Sequence, residues 1–255
     1  MNPLNEVIDM RSQIKLISFD VWDTLLRLDP MVDALSRGIG NVINLDPEKV
    51  RKAIFETYRE VKPLLLIGEL EDWEVLEESQ RMLAEKLNAS LEEIRRGISR
   101  GIAELDVESL LFPDVRKSLK ELSEKVHALC IIGNVTFWPG SFTRMIFEKL
   151  DLAKFFKVQL YSDEFGVAKP DKSIFLEACG LCEVEVGEAL HVGDNPFEDI
   201  GGALSAGMRA ALLRRDLNDV KFVDELAVAI IPSLESLPQI LEHLGRLKTK
   251  IPWIR

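Results

Sequence analysis

Five apolar runs of strand length recur along the chain, IKLISF (14–19), VHALCII (126–132), VQLY (158–161), EALHVG (188–193) and RAALL (209–213), with helical patterns between most of them. Runs this short and this uniformly apolar read as strands buried in a largely parallel sheet. Strands alternating with helices predict a doubly wound α/β core, Rossmann-like in layout, whose ligands sit beyond the carboxyl ends of the strands. Asp20, Asn134, Lys169 and Asp194 each fall at or just past such an end. A chain of 255 residues with 47% hydrophobic content is long enough for one large core with a smaller insert.

Residues 29–112 break the alternation. They separate the first strand from the next and read as wholly helical. Val50, Ile54, Tyr58 and Val61 make one apolar stripe, opened by Asp46 as cap and Pro47 at the first helical position. Leu91, Ile94, Ile98 and Ile102 make another, opened by a capping box of Ser90 and Glu93, and EDWEVLEESQRMLAEKL (71–87) supplies a helix between the two. The reading is a core formed by residues 1–28 and 113–255, with 29–112 as an inserted helical cap. Such a cap, following directly on the loop that carries Asp20, can close over the site and exclude water.

The formal charge of −11, from 43 acids against 32 bases, disfavours nucleic acid and anionic membranes as partners, and no basic run offsets it. Met1 to Gln13 is mixed polar, and the longest aliphatic stretches, such as LAVAII (226–231), are strand-sized, so a cytoplasmic address is expected. Three cysteines cannot form a fully paired disulfide framework, and CGLC lacks the second pair a structural zinc site needs. Cys179 and Cys182 therefore read as ordinary helix-end residues, with a redox role as the alternative. His127 and His191 fall within predicted strands as core histidines, and His243 reads as a helix-surface residue. Oligomeric state is not legible.

Taken together, FDVWDTLL, IIGNV, GVAKPD and HVGDNPFEDIGGALSAGM resemble, in order and spacing, the four motifs of the haloacid dehalogenase-like hydrolase superfamily. The resemblance covers the core rather than the insert, which is itself similar to the cap of the phosphatase and dehalogenase branches. It implies Mg²⁺-dependent hydrolysis of a small phosphorylated compound through an aspartyl-phosphate intermediate. In that resemblance Asp20 is the nucleophile and Asp194 the metal-binding acid. Asp199 is the second acid of the same motif, bonding the site's lysine or a metal-bound water. The Trp22 backbone carbonyl completes the metal set of Asp20, Trp22, Asp194 and Asp199, and Lys169 braces Asp20 and the phosphoryl group. Three neighbouring carboxylates and a phosphate dianion require positive charge, which Mg²⁺ and Lys169 would supply. Asn195 and Pro196 also read as helix-start residues, and Gly201, Gly202 and Gly207 as close-packing positions of that helix on the sheet.

Two positions depart from the pattern. Phosphatases of the family carry a second aspartate two residues after the nucleophile, as general acid and base for the leaving alcohol, where this chain has Trp22. Positioned acid–base catalysis contributes about 10²- to 10⁴-fold, so leaving groups that need no proton would be spared by its loss. The hydroxyl of the second motif, just before Asn134, is replaced by Gly133, with Thr136 or a backbone amide as a substitute. Asp23 is a candidate replacement proton donor, or else a structural residue fixing the loop. Trp22, Phe137 and Trp138 place aromatic surface near the mouth of the site, against either the insert or an apolar substrate. Two other functions remain open: a catalytically weak phosphate-binding or regulatory protein, and a 2-haloacid dehalogenase. Against the last stand Asp194, where metal-independent dehalogenases carry serine, and Phe175, where they usually carry tyrosine.

Overall fold

The computed structural model describes residues 14–66 and 68–247. The polar segment Met1 to Gln13 lies outside the described residues. β1 (Leu16–Phe19), β2 (Ala128–Gly133), β3 (Val158–Tyr161), β4 (Ala189–Gly193), β5 (Arg209–Leu213), β6 (Lys221–Val223) and β7 (Val228–Ile231) form one sheet in the order β3-β2-β1-β4-β5-β7-β6. All neighbours pair in parallel except β6 with β7. The order reverses at β1, which has β2 on one side and β4 on the other, so a crevice opens beyond the carboxyl ends of these three strands.

The five predicted strands are all present, with VQLY and RAALL matching to the residue. β2 starts later than its apolar run: His127 lies just before it and is exposed, so it is not a core histidine. β6 carries no apolar run because it is an edge strand whose Lys221 and Phe222 face solvent. Alternating side chains feed two apolar layers, with Ile17 and Phe19 on one face and Leu16 on the other.

The helices in chain order are α1 (Leu28–Ile43), α2 (Pro47–Leu66), α3 (Val75–Leu87), α4 (Leu91–Ala103), α5 (Val115–Ser123), α6 (Gly140–Lys149), α7 (Ser162–Phe165), α8 (Lys172–Cys182), α9 (Gly202–Ala206) and α10 (Leu237–Arg246). Five of them, α1 to α5, lie between β1 and β2, and the first four fall within residues 29–112 apart from the first residue of α1. Asp46 accepts from the Glu48 amide at 3.0 Å to open α2, and the Ser90–Glu93 capping box opens α4; caps of this kind contribute about 1 kcal/mol each. The helix expected from residue 71 starts at Val75, after a turn in which the Glu74 amide donates to Glu71. Of the first apolar stripe, Val50, Ile54 and Val61 are buried, whereas Tyr58 is 36% exposed.

α1 and α4 touch backbone to backbone. A Cβ on Gly38 would lie 2.3 Å from the Gly97 carbonyl oxygen, and one on Gly101 would lie 2.4 Å from that of Ala34. Glycine is required at this crossing because any side chain would push the helices apart. The two ends of residues 29–112 meet in a pair of extended segments: Leu26 bridges Leu111, and the Arg27 amide donates to the Leu110 carbonyl at 2.7 Å. No helix among the described residues is long and apolar enough to cross a membrane.

Two of the three glycines at the end of the fourth motif depart from the expected close packing. Gly202 does pack closely, but against Phe175 of α8, whose ring a Cβ would approach to 2.6 Å. Gly201 is exposed, and Gly207 ends α9 in the left-handed region at φ 94°. Cys179 and Cys182 are buried in the last turn of α8 as free thiols, and burial pushes Cys179 up to about 12.

Candidate active site

β1 delivers Asp20 into the crevice because its pairing with β4 runs one residue further, the Asp20 amide donating to the Val192 carbonyl at 2.9 Å. β4 ends one residue before Asp194 in the same way, and β2 one residue before Asn134. Lys169 comes from the loop between α7 and α8. Its ammonium donates to Asp20 Oδ1 at 2.7 Å and to Asp199 Oδ1 at 2.8 Å, and its side chain is only 1% exposed. Burial opposes that charge, but Asp199 and Asp20 together raise the lysine above its ordinary range, so it stays protonated.

Asn134 holds the Lys169 backbone. Its amide oxygen accepts from the Lys169 amide at 2.8 Å and its amide nitrogen donates to the Lys169 carbonyl at 2.9 Å. The side chain thus positions the lysine loop rather than pointing free into the cavity.

Asp199 sits on a π-helical turn (Pro196–Gly201) that Asn195 caps by accepting from the Phe197 amide at 2.9 Å. Both its oxygens have protein donors: Lys169 and His191 on Oδ1, the Asn195 amide on Oδ2 at 2.9 Å. Burial would raise this carboxyl, but Lys169 and His191 hold it well below the usual carboxylate range. Gly193 makes the arrangement possible, since a Cβ there would lie 2.2 Å from the Asp199 carboxyl.

Asp20, Asp194 and Asp199 have oxygens within 4.8 Å of one another, the one such group of potential metal ligands among the described residues. Burial and the neighbouring acids Asp20, Asp199 and Asp23 push Asp194 up to about 8. Burial also pushes Asp20 up to about 6, against the Lys169 charge. Acids this crowded, with one lysine between two of them, create a demand for a further cation. The donor set fits a hard, oxygen-preferring ion such as Mg²⁺, with Asp20 and Asp194 the better placed ligands because Asp199 is already saturated by protein donors. The Trp22 carbonyl is compatible: the loop's backbone hydrogen bonds use the Val21 and Leu26 carbonyls and leave it out.

Asp23 lies beside this cluster at φ 58°, where its carboxylate accepts from the Leu28 amide at 3.0 Å and so secures the start of α1. Burial raises its carboxyl and the Leu28 amide opposes the shift. Gly133 has a spatial reason: a Cβ there would approach the Tyr161 ring to 3.0 Å, so the tyrosine occupies the room a serine or threonine would need. Tyr161 also abuts Gly140, and its hydroxyl donates to Gln159 at 2.9 Å.

Three participants went unrecognised in the sequence. His191 bridges Ser18 Oγ at 2.8 Å and Asp199 at 3.2 Å, extending a buried polar chain beneath Lys169, and burial lowers its pKa. Its place two residues before Gly193 on the same strand face was the available signal. Glu198 accepts from Asn134 at 3.1 Å and pairs with Lys62 of α2, 136 residues earlier. Lys62 also lies against the Tyr58 ring, 5.2 Å from its centroid. Further contacts tie α3 to the loop after β2, with Gln80 donating to the Phe137 carbonyl at 2.8 Å and Ser79 donating to that of Thr136. The acids open onto a cavity of about 220 Å³ that runs from Asp20 and Asp194 to Ile54 and Phe55 of α2. Trp22 and Trp138 line it edge to face, their rings 5.1 Å apart.

Comparison with known proteins agrees with this architecture. The chain is 25% identical over 247 residues to the Escherichia coli 5-amino-6-(5-phospho-D-ribitylamino)uracil phosphatase YigB, covering 88% of this chain and 96% of that one. It is 36% identical over 107 residues to a phosphoserine phosphatase of Thermus thermophilus, a match that takes in 42% of each chain. Among solved structures, the putative HAD-hydrolase YfnB of Bacillus subtilis superposes with a TM-score of 0.69 at 19% identity, covering 90% of this chain and 99% of that one. A 2-haloacid dehalogenase from Pseudomonas syringae superposes at 0.66 with 24% identity and the same coverage. Likenesses this remote show the fold alone. A family model described as haloacid dehalogenase-like hydrolase matches residues 14–207, which include every acid of the cluster together with Lys169 and residues 29–112, and the chain belongs to that family.

Proposed function

We propose that the protein is a Mg²⁺-dependent hydrolase of small phosphorylated compounds, with Asp20 as nucleophile. The observation that carries this reading is the buried Lys169 ammonium, shared between Asp20 and Asp199 beside a partly exposed, strongly destabilised Asp194. An oxygen of Asp20 attacks phosphorus as the bond to the leaving oxygen breaks with its electron pair, giving an aspartyl phosphate. Water then attacks that phosphorus, returns the Asp20 carboxylate and gives up a proton to solvent, from which the departed oxide takes one. Lys169 stays charged throughout and stabilises the negative charge on Asp20 and on the phosphoryl oxygens. Asp199 and Asn134 position Lys169, one through its ammonium and the other through its backbone. Mg²⁺, held by Asp20, Asp194 and the Trp22 carbonyl, would supply the remaining positive charge.

In this reading residues 29–112 are a cap on a core of 1–28 and 113–255, and the Lys62–Glu198 pair joins the two across the cavity. Similarity to curated phosphatases over most of the chain in one case, and over part of it in another, supports phosphoester hydrolysis. The retained Asp194 favours it over carbon–halogen hydrolysis. A weakly catalytic phosphate-binding protein is the second reading, favoured by Trp22 at the acid–base position and by Tyr161 in place of a phosphate-binding hydroxyl.

The test is a panel of phosphate esters assayed with and without Mg²⁺, beside Asp20→Asn. Turnover requires both Mg²⁺ and Asp20, and rates fall steeply as the leaving group becomes more basic, aryl and acyl phosphates far ahead of alkyl ones. Flat rates across the series would refute the missing-acid argument. Full activity in Asp20→Asn would remove the nucleophile assignment, and phosphate binding without turnover would select the second reading.

A further inference from the structure

We infer that the leaving group accepted by this site is flat and apolar, an aromatic or similarly unsaturated alcohol without an anionic group; the inference rests on the phosphatase reading above. Trp22, Trp138, Val32, Ile54 and Phe55 give the cavity its apolar lining. Apolar cavities of about 150 Å³ hold a benzene ring. A volume of about 220 Å³ therefore takes a phosphoryl group at the acid end and one ring beyond it.

Several polar groups around the cavity are turned toward protein. The Trp138 indole N–H donates to Thr143 at 3.2 Å, the Asn134 amide clamps Lys169, and the Tyr161 hydroxyl donates to Gln159. Lys62, the one cation among the described residues lining the cavity, is paired with Glu198. A sugar or polyol leaving group would lose its water here and find few partners beyond the Thr136 and Tyr58 hydroxyls, and each hydroxyl left unsatisfied is unfavourable. A carboxylate or second phosphate would face Asp20, Asp23, Asp194 and Glu198 with no free cation to balance it.

The chemistry points the same way for a separate reason. With Trp22 where a proton donor would stand, the leaving oxygen departs as an anion, and an aryl oxide is stable enough to do so. The residue that removes the acid also supplies the aromatic wall.

Inert phosphonates separate recognition from chemistry. Ligand-observed NMR titration of the full chain with Mg²⁺ would compare inorganic phosphate, benzylphosphonate, 2,3-dihydroxypropylphosphonate and 4-carboxybenzylphosphonate. The expected result is benzylphosphonate binding at least tenfold tighter than the dihydroxypropyl compound, with the carboxylated ring weaker than benzylphosphonate. Phe55→Ala, at a half-buried position, and the milder Trp138→Phe should each weaken benzylphosphonate several-fold while leaving inorganic phosphate within twofold. Equal or tighter binding of the dihydroxypropyl or carboxylated compound overturns the inference. So does a Phe55→Ala loss that is the same for phosphate and benzylphosphonate. If inorganic phosphate itself fails to bind with Mg²⁺, the phosphatase reading falls, and this inference with it.

Discussion

Replacing Asp194 by asparagine should make the metal-free protein more stable at pH 8. The wild-type carboxyl is pushed from its ordinary value of 3.8 to about 8 by burial and by Asp20, Asp199 and Asp23. The folded state therefore binds a proton that the unfolded state has released, so stability falls as pH rises across that window. Each tenfold change in proton affinity corresponds to about 1.4 kcal/mol, which sets a ceiling of about 6 kcal/mol on the relief at pH 8. Water reaching this half-buried carboxyl screens most of that, leaving about 2 kcal/mol. For a chain of this length that is a rise in melting temperature of about 4–8 °C. At pH 4, close to the unfolded value, the difference should shrink to well under 1 kcal/mol. Thermal melts in EDTA at both pH values measure it directly. Mg²⁺ should stabilise wild type at pH 8 and Asp194→Asn much less, because the ligand binds the native state through the removed charge. A variant no more stable than wild type in EDTA at pH 8, or Mg²⁺ stabilising both equally, would show that the acids do not repel one another as argued.

Two glycines allow sharper tests of the site's geometry. Gly193→Ala places a methyl 2.2 Å from the Asp199 carboxyl, which must move and take Lys169 with it. Activity on an aryl phosphate should fall by at least tenfold, with about 1–3 kcal/mol lost in stability, and near-wild-type turnover would contradict the claim that Asp199 positions Lys169. Gly133→Ser restores the hydroxyl of the family pattern but meets the Tyr161 ring at 3.0 Å. It should lower stability by about 1 kcal/mol without raising kcat, so a faster enzyme would mean the hydroxyl had room after all.

Local sequence signals determined a good deal of this protein. Strand-length apolar runs determined the doubly wound sheet because burial on both faces leaves no polar alternation. Ser90 with Glu93 and Asp46 with Pro47 determined helix starts because capping is a contact between residues two or three apart. Motif order brought Asp20, Lys169, Asp194 and Asp199 to one cluster, since strand ends of a parallel sheet converge on the same crevice. Even the demand for a cation was legible, as it follows from how many acids the loops deliver. Tertiary structure decided the rest, because it turns on which distant groups share space. The sequence offers no reason for Gly133 until Tyr161, from the next strand, is seen filling its place. Lys62 and Glu198 are ordinary surface charges as letters, yet packing α2 over the crevice makes them a half-buried pair that neutralises the one cation lining the cavity among the described residues. His191 reads as a core residue until Asp199, folding back over Gly193, lends it a carboxylate. Periodicity and caps are encoded within a few residues of each other, whereas the complementarity of a cavity exists only once separate elements have been packed together.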